Sequence, residues 1–395
     1  MSQAATLYPK TYYPYLDGFR ALSILWVLLH HIYVFFDLRA LAAAQWLPAL
    51  LAAKLGLLGV DMFFVISGFL ITGLLIQDLD KDVRVRRFYL RRIFKIIPSY
   101  VAALLGGLLM LAWIGDTPLI DYGNFRIIDG QVQAYQELVP RPFSGRVLAG
   151  YFVFLQNFSE HIATLAHTWS IAIEEHFYLG YPLLFWLAVR AGKNFSVRRR
   201  WLLALLLGFF LLAHVYRYVS IVHFHALNNQ ATPARIDALI FGCLIRIAEP
   251  WLKTRTRRVQ QWLGPLCLLA GVGIYASLFM LTYQFIEQDS KTISGGLYYY
   301  AAIYLAPGLL ILSALLNYQP LVKILSRPSL ISIGKHSYGT YLWHYILIFP
   351  FALWQDRFST GALIALYVPC ALLAGYLSTN TVERFFLNMR RKYCP

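Results

Sequence analysis

Residues 57–77 read LLGVDMFFVISGFLITGLLIQ, twenty-one positions with a single charge, Asp61, and no proline. An α-helix rises about 1.5 Å per residue, so this stretch is long enough to cross the roughly 30 Å hydrocarbon core of a bilayer. Alone it would describe a protein with one anchor. The pattern recurs, however, over about 16–37, 93–114, 171–190, 201–222, 235–249, 262–284, 297–317, 336–356 and 362–382. Together these blocks predict an all-α integral membrane protein, a bundle of about ten transmembrane helices. Segment 147–158, VLAGYFVFLQNF, is apolar but too short to cross, and reads as re-entrant or interfacial.

The composition agrees. The chain has 395 residues, 59% hydrophobic and 14% charged, where a soluble domain carries about 25% charged residues. Such a density of apolar blocks predicts one membrane domain over 1–395, its helices within about 14–385, with one long loop over about 115–170. Neither an internal repeat nor a low-complexity tract is evident. A net charge of +16 in a soluble protein would point to nucleic acid. Here the basic residues lie between apolar blocks, and that reading is excluded. With the N-terminus inside, 26 of the 35 Lys and Arg fall on the inner segments 1–20, 78–100, 190–200, 246–261, 318–335 and 383–395. That is the positive-inside bias; it predicts both termini cytoplasmic and the 115–170 loop outside. Cys243, Cys267, Cys370 and Cys394 have no metal-ligand or redox-pair spacing, so no metal site is expected. The polar N-terminus lacks a signal-peptide core, so the first helix serves as its own insertion signal.

Ionisable side chains at mid-membrane cost about 2.5–3.5 kcal/mol each, so they face a cavity or a partner. The first helix carries Asp17, Arg20, His30 and His31; the second carries Asp61. His167 precedes the fourth, which carries Glu174, Glu175 and His176. His214 and Arg217 lie in the fifth, Arg235 and Asp237 open the sixth, and His336 and His344 lie in the ninth. Depth sorts them. Arg20 and the cluster Arg91, Arg92 and Lys95 lie at cytoplasmic helix ends. His31, eleven residues beyond Arg20, lies roughly 16 Å further along the axis, in the outer half. Asp61, His167, Glu174, Glu175, Arg235 and Asp237 also fall on the outer side. The expectation is one cavity joining a basic inner mouth to an outer histidine–carboxylate cluster. Arginine suits a phosphate-bearing ligand, and histidine beside a carboxylate suits removal of a hydroxyl proton.

Plainer readings compete with each of these. Asp17 and Arg20, spaced i,i+3, also read as a salt-bridged helix start. The Arg91–Lys95 cluster also reads as a topology signal. Adjacent helical residues point about 100° apart, so only one of His30 and His31 faces the bundle well. Gly68 and Gly73 read as packing glycines.

Six stretches, in order, resemble the membrane acyltransferase-3 family of O-acyltransferases. YLDGFRALSILWVLLHH is similar to that family's first-helix motif, and Arg20 to His31 fits its R-x10-H spacing. GVDMFFVISGFLIT, FYLRRIFKIIP, HTWSIAIEEHFYLGYPLLF, RIDALIFG and IGKHSYGTYLWH resemble five further motifs. The resemblance implies transfer of an acyl group, usually acetyl, from acyl-CoA to a hydroxyl of a carbohydrate or glycoconjugate. It implies His31 as the catalytic histidine and Arg20 as its motif partner. Arg92 and Lys95 fall on an RxxR pair, with Lys in place of the second Arg and without its planar fork. Acyl-CoA is expected as a substrate, and no permanently bound cofactor is expected. Glu174 or Glu175 is expected to orient His31. Asp61, Ser67, His167, Arg235, Asp237, Tyr338 and His344 are candidates for binding the acceptor or the oxyanion. Some members carry a fused extracytoplasmic hydrolase-like (SGNH) domain, and none is evident before Pro395, so the expected partners are the bilayer, a sugar-containing acceptor outside, and a separate protein or a second copy of the chain. The family also implies a multi-pass protein of the bacterial inner membrane. The alternative is a secondary transporter for a sugar or lipid precursor. It calls for paired repeats, which are not seen, and leaves the basic inner mouth without a purpose.

Overall fold

The computed structural model of the chain describes residues 12–36, 38, 52–77, 85–115, 120–128, 131–138, 143–191, 195–224, 228–288 and 293–393. Each of the ten apolar blocks falls on a helix. In chain order these are α1 (Pro14–Phe35), α2 (Leu58–Gln77), α3 (Val85–Ile114), the short α4 (Gly145–Phe152), α5 (Trp169–Ala191), α6 (Phe195–Val222) and α7 (Thr232–Lys253). Then follow α8 (Arg257–Gln288), α9 (Ile293–Leu315), α10 (Gln319–Leu325), α11 (Pro328–Lys335), α12 (Ser337–Leu353), α13 (Thr360–Ser378) and α14 (Arg384–Tyr393). Segment 147–158 falls on α4 and the turns after it.

Local chemistry sets the boundaries. Proline stands in the first turn of α1, α7, α10 and α11, where its missing N–H costs nothing. Ser144 and Ser359 cap α4 and α13, each side chain accepting from the backbone N–H three residues on.

Six of the described helices are long and apolar enough to cross a membrane. A seventh span is counted if α9 and α10, bent by 102° at their junction, act as one. The protein is therefore an integral, multi-pass membrane protein. Among the predicted spans, α5, α7 and α12 fall short of that measure, for a physical reason. The helix α5 carries Glu174 and Glu175, α7 carries Arg235, Asp237, Arg246 and Glu249, and α12 has only 17 residues. Polar cargo lowers the hydropathy of the helices that build the interior.

The helix α2 is central, with 83% of its apolar window buried, against 17% for α8 and 22% for α6 and α13 at the lipid-facing periphery. It packs most intimately on α7. A Cβ at Gly68 would collide with the carbonyl of Leu239, and one at Gly242 with the carbonyl of Val65. The two backbones touch there because neither residue has a side chain. Gly73 is a packing position too, set against the Arg246 guanidinium.

Over 115–170 the sequence places a single loop, but the structure contains a hairpin. Strands β1 (Ile120–Ile128) and β2 (Gln131–Leu138) pair antiparallel, with an irregularity between Asp121 and Asn124. QVQAYQEL has the period-2 alternation of a strand. The backbone of β1 lies against α1 and α8.

Candidate active site

The end of α1, the 3-10 turn Ala163–Thr168 before α5, and α12 bring three histidines together. His31 and His344 have ring centroids 4.9 Å apart, and His344 and His167 are 5.3 Å apart. Tyr345 stacks on His167 at 4.8 Å and meets His31 edge-on at 4.9 Å. His344 and His167 are buried, while His31 is partly open. The neighbouring His30 turns away, its Nδ1 2.9 Å from the Lys54 carbonyl.

Carbonyl oxygens only accept hydrogen bonds, so they fix the tautomers. His344 Nδ1 lies 2.6 Å from the Tyr341 carbonyl and must carry a hydrogen. In a neutral ring its Nε2 is then a lone pair. That lone pair lies 3.1 Å from His31 Nδ1, which also lies 3.0 Å from the Val27 carbonyl. His31 Nδ1 therefore carries the hydrogen and is held by two acceptors. Nε2 of His31 is left as a lone pair, the form a general base requires. His167 lies 3.2 Å from the Leu342 carbonyl through Nε2, and its buried Nδ1 has no hydrogen-bond partner among the described residues.

A second centre is a chamber of about 850 Å³, space open to solvent included, lined by Ser67, Glu174, Glu175, Arg20, Arg92 and Tyr338 among others. Ser67 donates to Glu174 Oε1 at 2.7 Å, and Tyr338 donates to the Ile96 carbonyl at 3.1 Å. Glu175 Oε1 is buried with no hydrogen-bond partner among the described residues. Lys95 approaches Glu383 at 4.0 Å.

Arg20, Ser67, Arg92, Lys95 and Tyr178 line both this chamber and a wider cleft of about 1560 Å³, open solvent at its mouth included. Arg92 is set in this throat by stacking on Tyr178, 3.9 Å from the ring centroid. Among the described residues the cations lining the cleft are Arg20, Arg91, Arg92, Lys95, Arg246 and Arg390. Among the described residues no Asp or Glu lines it. Such a field concentrates anions.

The far end of the chamber is walled by Tyr341 and Ser170. Tyr341 donates to the His167 carbonyl at 2.8 Å, so Ser170 is the donor in the 2.6 Å contact with the Tyr341 hydroxyl. The Tyr341 ring lies 5.4 Å from His344 and 5.5 Å from His167. His31 lines neither cavity. Where the sequence predicts one continuous cavity, the structure has a cleft, a throat and a chamber, with Tyr341 between the chamber and the histidines.

The other predicted residues separate into distinct roles. Glu174 and Glu175, expected beside His31, face the chamber instead; the side-chain partner of His31 is His344. Asp61, Arg235 and Asp237 belong to two ion pairs that are 1% exposed, Arg235 to Asp61 at 2.8 Å and Arg217 to Asp237 at 2.7 Å. These pairs tie α2, α6 and α7 together, and the Arg235 guanidinium lies between Trp169 and Tyr300. Of the proposed oxyanion donors, Ser67, Tyr338 and Arg235 all spend hydrogens on partners within the protein. Asp17 does pair with Arg20, at 3.6 Å. Sequence reasoning missed Tyr341, Ser170, Arg246 and Arg390. Arg246 had a signal, its i,i+3 spacing to Glu249, with which it forms a buried pair. Among the described residues no group of three or more His, Cys, Asp or Glu is arranged to hold a metal ion.

Comparison with known proteins adds the family. A family model described as an acyltransferase domain (acyltransferase-3) matches residues 13–379. O-acetyltransferase OatA of Staphylococcus aureus (strain NCTC 8325 / PS 47) is 29% identical over 372 residues, covering 92% of this chain and 54% of its own. A second Staphylococcus aureus protein, SAR0937 of strain MRSA252, is 27% identical over 409 residues, covering 99% of this chain and 61% of its own. The chain thus spans little more than half the length of these relatives. No solved structure matches it.

Proposed function

The chain belongs to the acyltransferase-3 family of membrane acyltransferases, and on that premise we propose that it moves an acyl group, acetyl in the simplest case, from acyl-CoA to a hydroxyl of a carbohydrate or glycoconjugate. The observation that carries this reading is the orientation of His31, whose Nδ1–H is fixed by Val27 and His344 and whose Nε2 is left basic. The OatA name supports O-acetylation.

The basic cleft faces the cytoplasm in this account, as the positive-inside bias indicates. The nucleotide end of acyl-CoA lies in the cleft, and the diphosphate meets Arg92, Lys95 and Arg20 at the throat. The thin pantetheine arm runs through the chamber toward Tyr341. The acceptor hydroxyl approaches His31 from the other side, outside the bacterial inner membrane. His31 Nε2 takes the hydroxyl proton as the oxygen attacks the thioester carbonyl. The C–S bond then breaks, and the leaving thiolate takes that proton. The products are the O-acyl acceptor and CoA with a free thiol. His344 Nε2 accepts from His31 Nδ1 throughout and steadies the imidazolium while it exists. For the thioester to reach His31, the Tyr341 ring has to move.

The test uses detergent-purified protein and acetyl-CoA labelled on the acetyl group. Wild type is expected to release or transfer label, Arg92→Ala to need more donor for the same rate, and His31→Ala to do neither. Folded wild type that consumes no acyl-CoA would overturn the reading.

A further inference from the structure

A base that activates a sugar hydroxyl also activates water, and water reaches both faces of a membrane. A base standing beside a bound thioester would therefore spend the donor by hydrolysis, unless the two are kept apart until the acceptor arrives. Tyr341 stands between them. It closes the chamber at the end nearest the histidines, with its ring 5.4 Å from His344 and 5.5 Å from His167. Phe63 of α2 meets it edge-on at 6.4 Å.

The ring is held by its hydroxyl. That hydroxyl donates to the His167 carbonyl at 2.8 Å and accepts from Ser170 Oγ at 2.6 Å. His167 and Ser170 flank Trp169, so both bonds tie α12 to one place, the entry of α5. Tyr341, Ser170 and His167 are all buried. Swinging the ring away thus leaves polar groups unpaired where water does not replace the lost bonds. The Tyr341 backbone has a separate task, accepting from His344 Nδ1. The side chain can turn, or lose its hydroxyl, while the His344–His31 pair keeps its tautomers.

We infer, on the acyl-CoA reading, that Tyr341, latched by Ser170 and the His167 carbonyl, is the residue that selects a sugar hydroxyl over water as acceptor. While the ring is latched, the thioester stops in the chamber and does not meet His31 Nε2. The anchor of the latch lies on the 3-10 turn Ala163–Thr168, the turn that presents the His167 ring to the histidine cluster. An acceptor seated at that cluster bears on the same turn, which couples opening to its arrival. Ser170 acts through Tyr341 and is a positioning residue.

Without the latch the enzyme becomes a thioesterase. A water oxygen attacks the thioester carbonyl as His31 Nε2 takes one of its protons. The C–S bond breaks and the thiolate takes that proton, giving acetic acid and CoA with a free thiol.

The experiment follows thiol release from saturating acetyl-CoA by the full-length purified protein, with no acceptor added. One neutral hydrogen bond shifts an equilibrium by about two- to tenfold, and two by about five- to a hundredfold. Tyr341→Phe removes both bonds and is expected to raise hydrolysis over wild type by about the larger factor. Ser170→Ala removes one and should raise it by about the smaller. The double variant should be no faster than Tyr341→Phe, because Ser170 has nothing left to hold. Adding His31→Ala should abolish the rise. Ser170→Ala carries the comparison if Tyr341→Phe melts early. Hydrolysis by folded Tyr341→Phe at the wild-type rate would overturn the inference, and so would a lower rate, the mark of a hydroxyl used in the chemistry. A rise that survives His31→Ala, or effects of the two substitutions that simply multiply, would overturn it as well, as a leak or a packing defect. Wild type that binds no labelled acetyl-CoA at equilibrium fails at the acyl-CoA reading itself, a different and recognisable outcome.

Discussion

Replacing His344 by alanine tests the site where the geometry says most. His344 gives its Nδ1–H to the Tyr341 carbonyl and offers Nε2 to His31 Nδ1 at 3.1 Å. In the resting enzyme this is a bond between neutral rings, and Val27 O shares the same hydrogen at 3.0 Å. When His31 takes up a proton at Nε2, Nδ1–H becomes a cationic donor, and its bonds rise to about 1.5–3 kcal/mol each. His344→Ala removes one of the two acceptors. At 1.36 kcal/mol per tenfold in rate, kcat should fall about ten- to a hundredfold. KM for acetyl-CoA should hold, because His344 lines neither donor cavity. Loss of a buried side chain also weakens the fold by a few kcal/mol, so the assay pairs label transfer with thermal melting in detergent. His344→Gln keeps volume and a carbonyl acceptor, and should recover part of the rate. A folded His344→Ala with wild-type kcat would refute the reasoning. So would one as inactive as His31→Ala, since a partner of the base cannot matter as much as the base.

Arg235→Met strands the Asp61 carboxylate in an interior where both partners are 1% exposed. Breaking such a pair costs about 3–5 kcal/mol, so melting should drop sharply, and Asp61→Leu on the same background should restore much of it. Gly68→Leu should prevent the α2–α7 contact, because the first added carbon meets the Leu239 carbonyl; wild-type melting would contradict that packing. His161, in the segment before α5, has its pKa lowered from 6.5 by burial, while its Nε2 pairs with Gln230. The unfolded chain therefore binds a proton near pH 6.5 that the folded one refuses, so this contribution to stability is present above pH 6.5 and lost as pH falls below it. Melting temperatures should decline on that acid side, and His161→Gln should flatten the decline.

The helices were legible because a membrane span is a length of apolar residues, and length survives without a partner. The hairpin over 120–138 was not seen, since short alternating strands inside a polar connection carry a weak signal. His31 was visible from its depth and its spacing to Arg20. Its partner was not: His344 is 313 positions away, and depth along a helix says nothing about which face meets which neighbour. The same gap explains Glu174 and Glu175. The sequence put them on the outer side with His31, but the structure sets them in the chamber with Arg92 and Ser67, while His167, seven residues before Glu174, is the group at the level of His31. Asp61, Arg235 and Asp237 looked like a site because buried charges stand out in any apolar segment, and the structure uses them as braces. Arg390 read as one more basic tail residue until α14 folded it over the cleft.

The central claim is that His31 Nε2 takes the acceptor proton. The most direct measurement is label transfer from acetyl-CoA by His31→Ala, beside His167→Ala, since the His167 Nδ1 has no hydrogen-bond partner among the described residues. Both would be assayed as folded, donor-binding protein, with and without added imidazole. The account predicts no transfer by His31→Ala, partial return with imidazole, and measurable transfer by His167→Ala. Near-normal transfer by His31→Ala would contradict it.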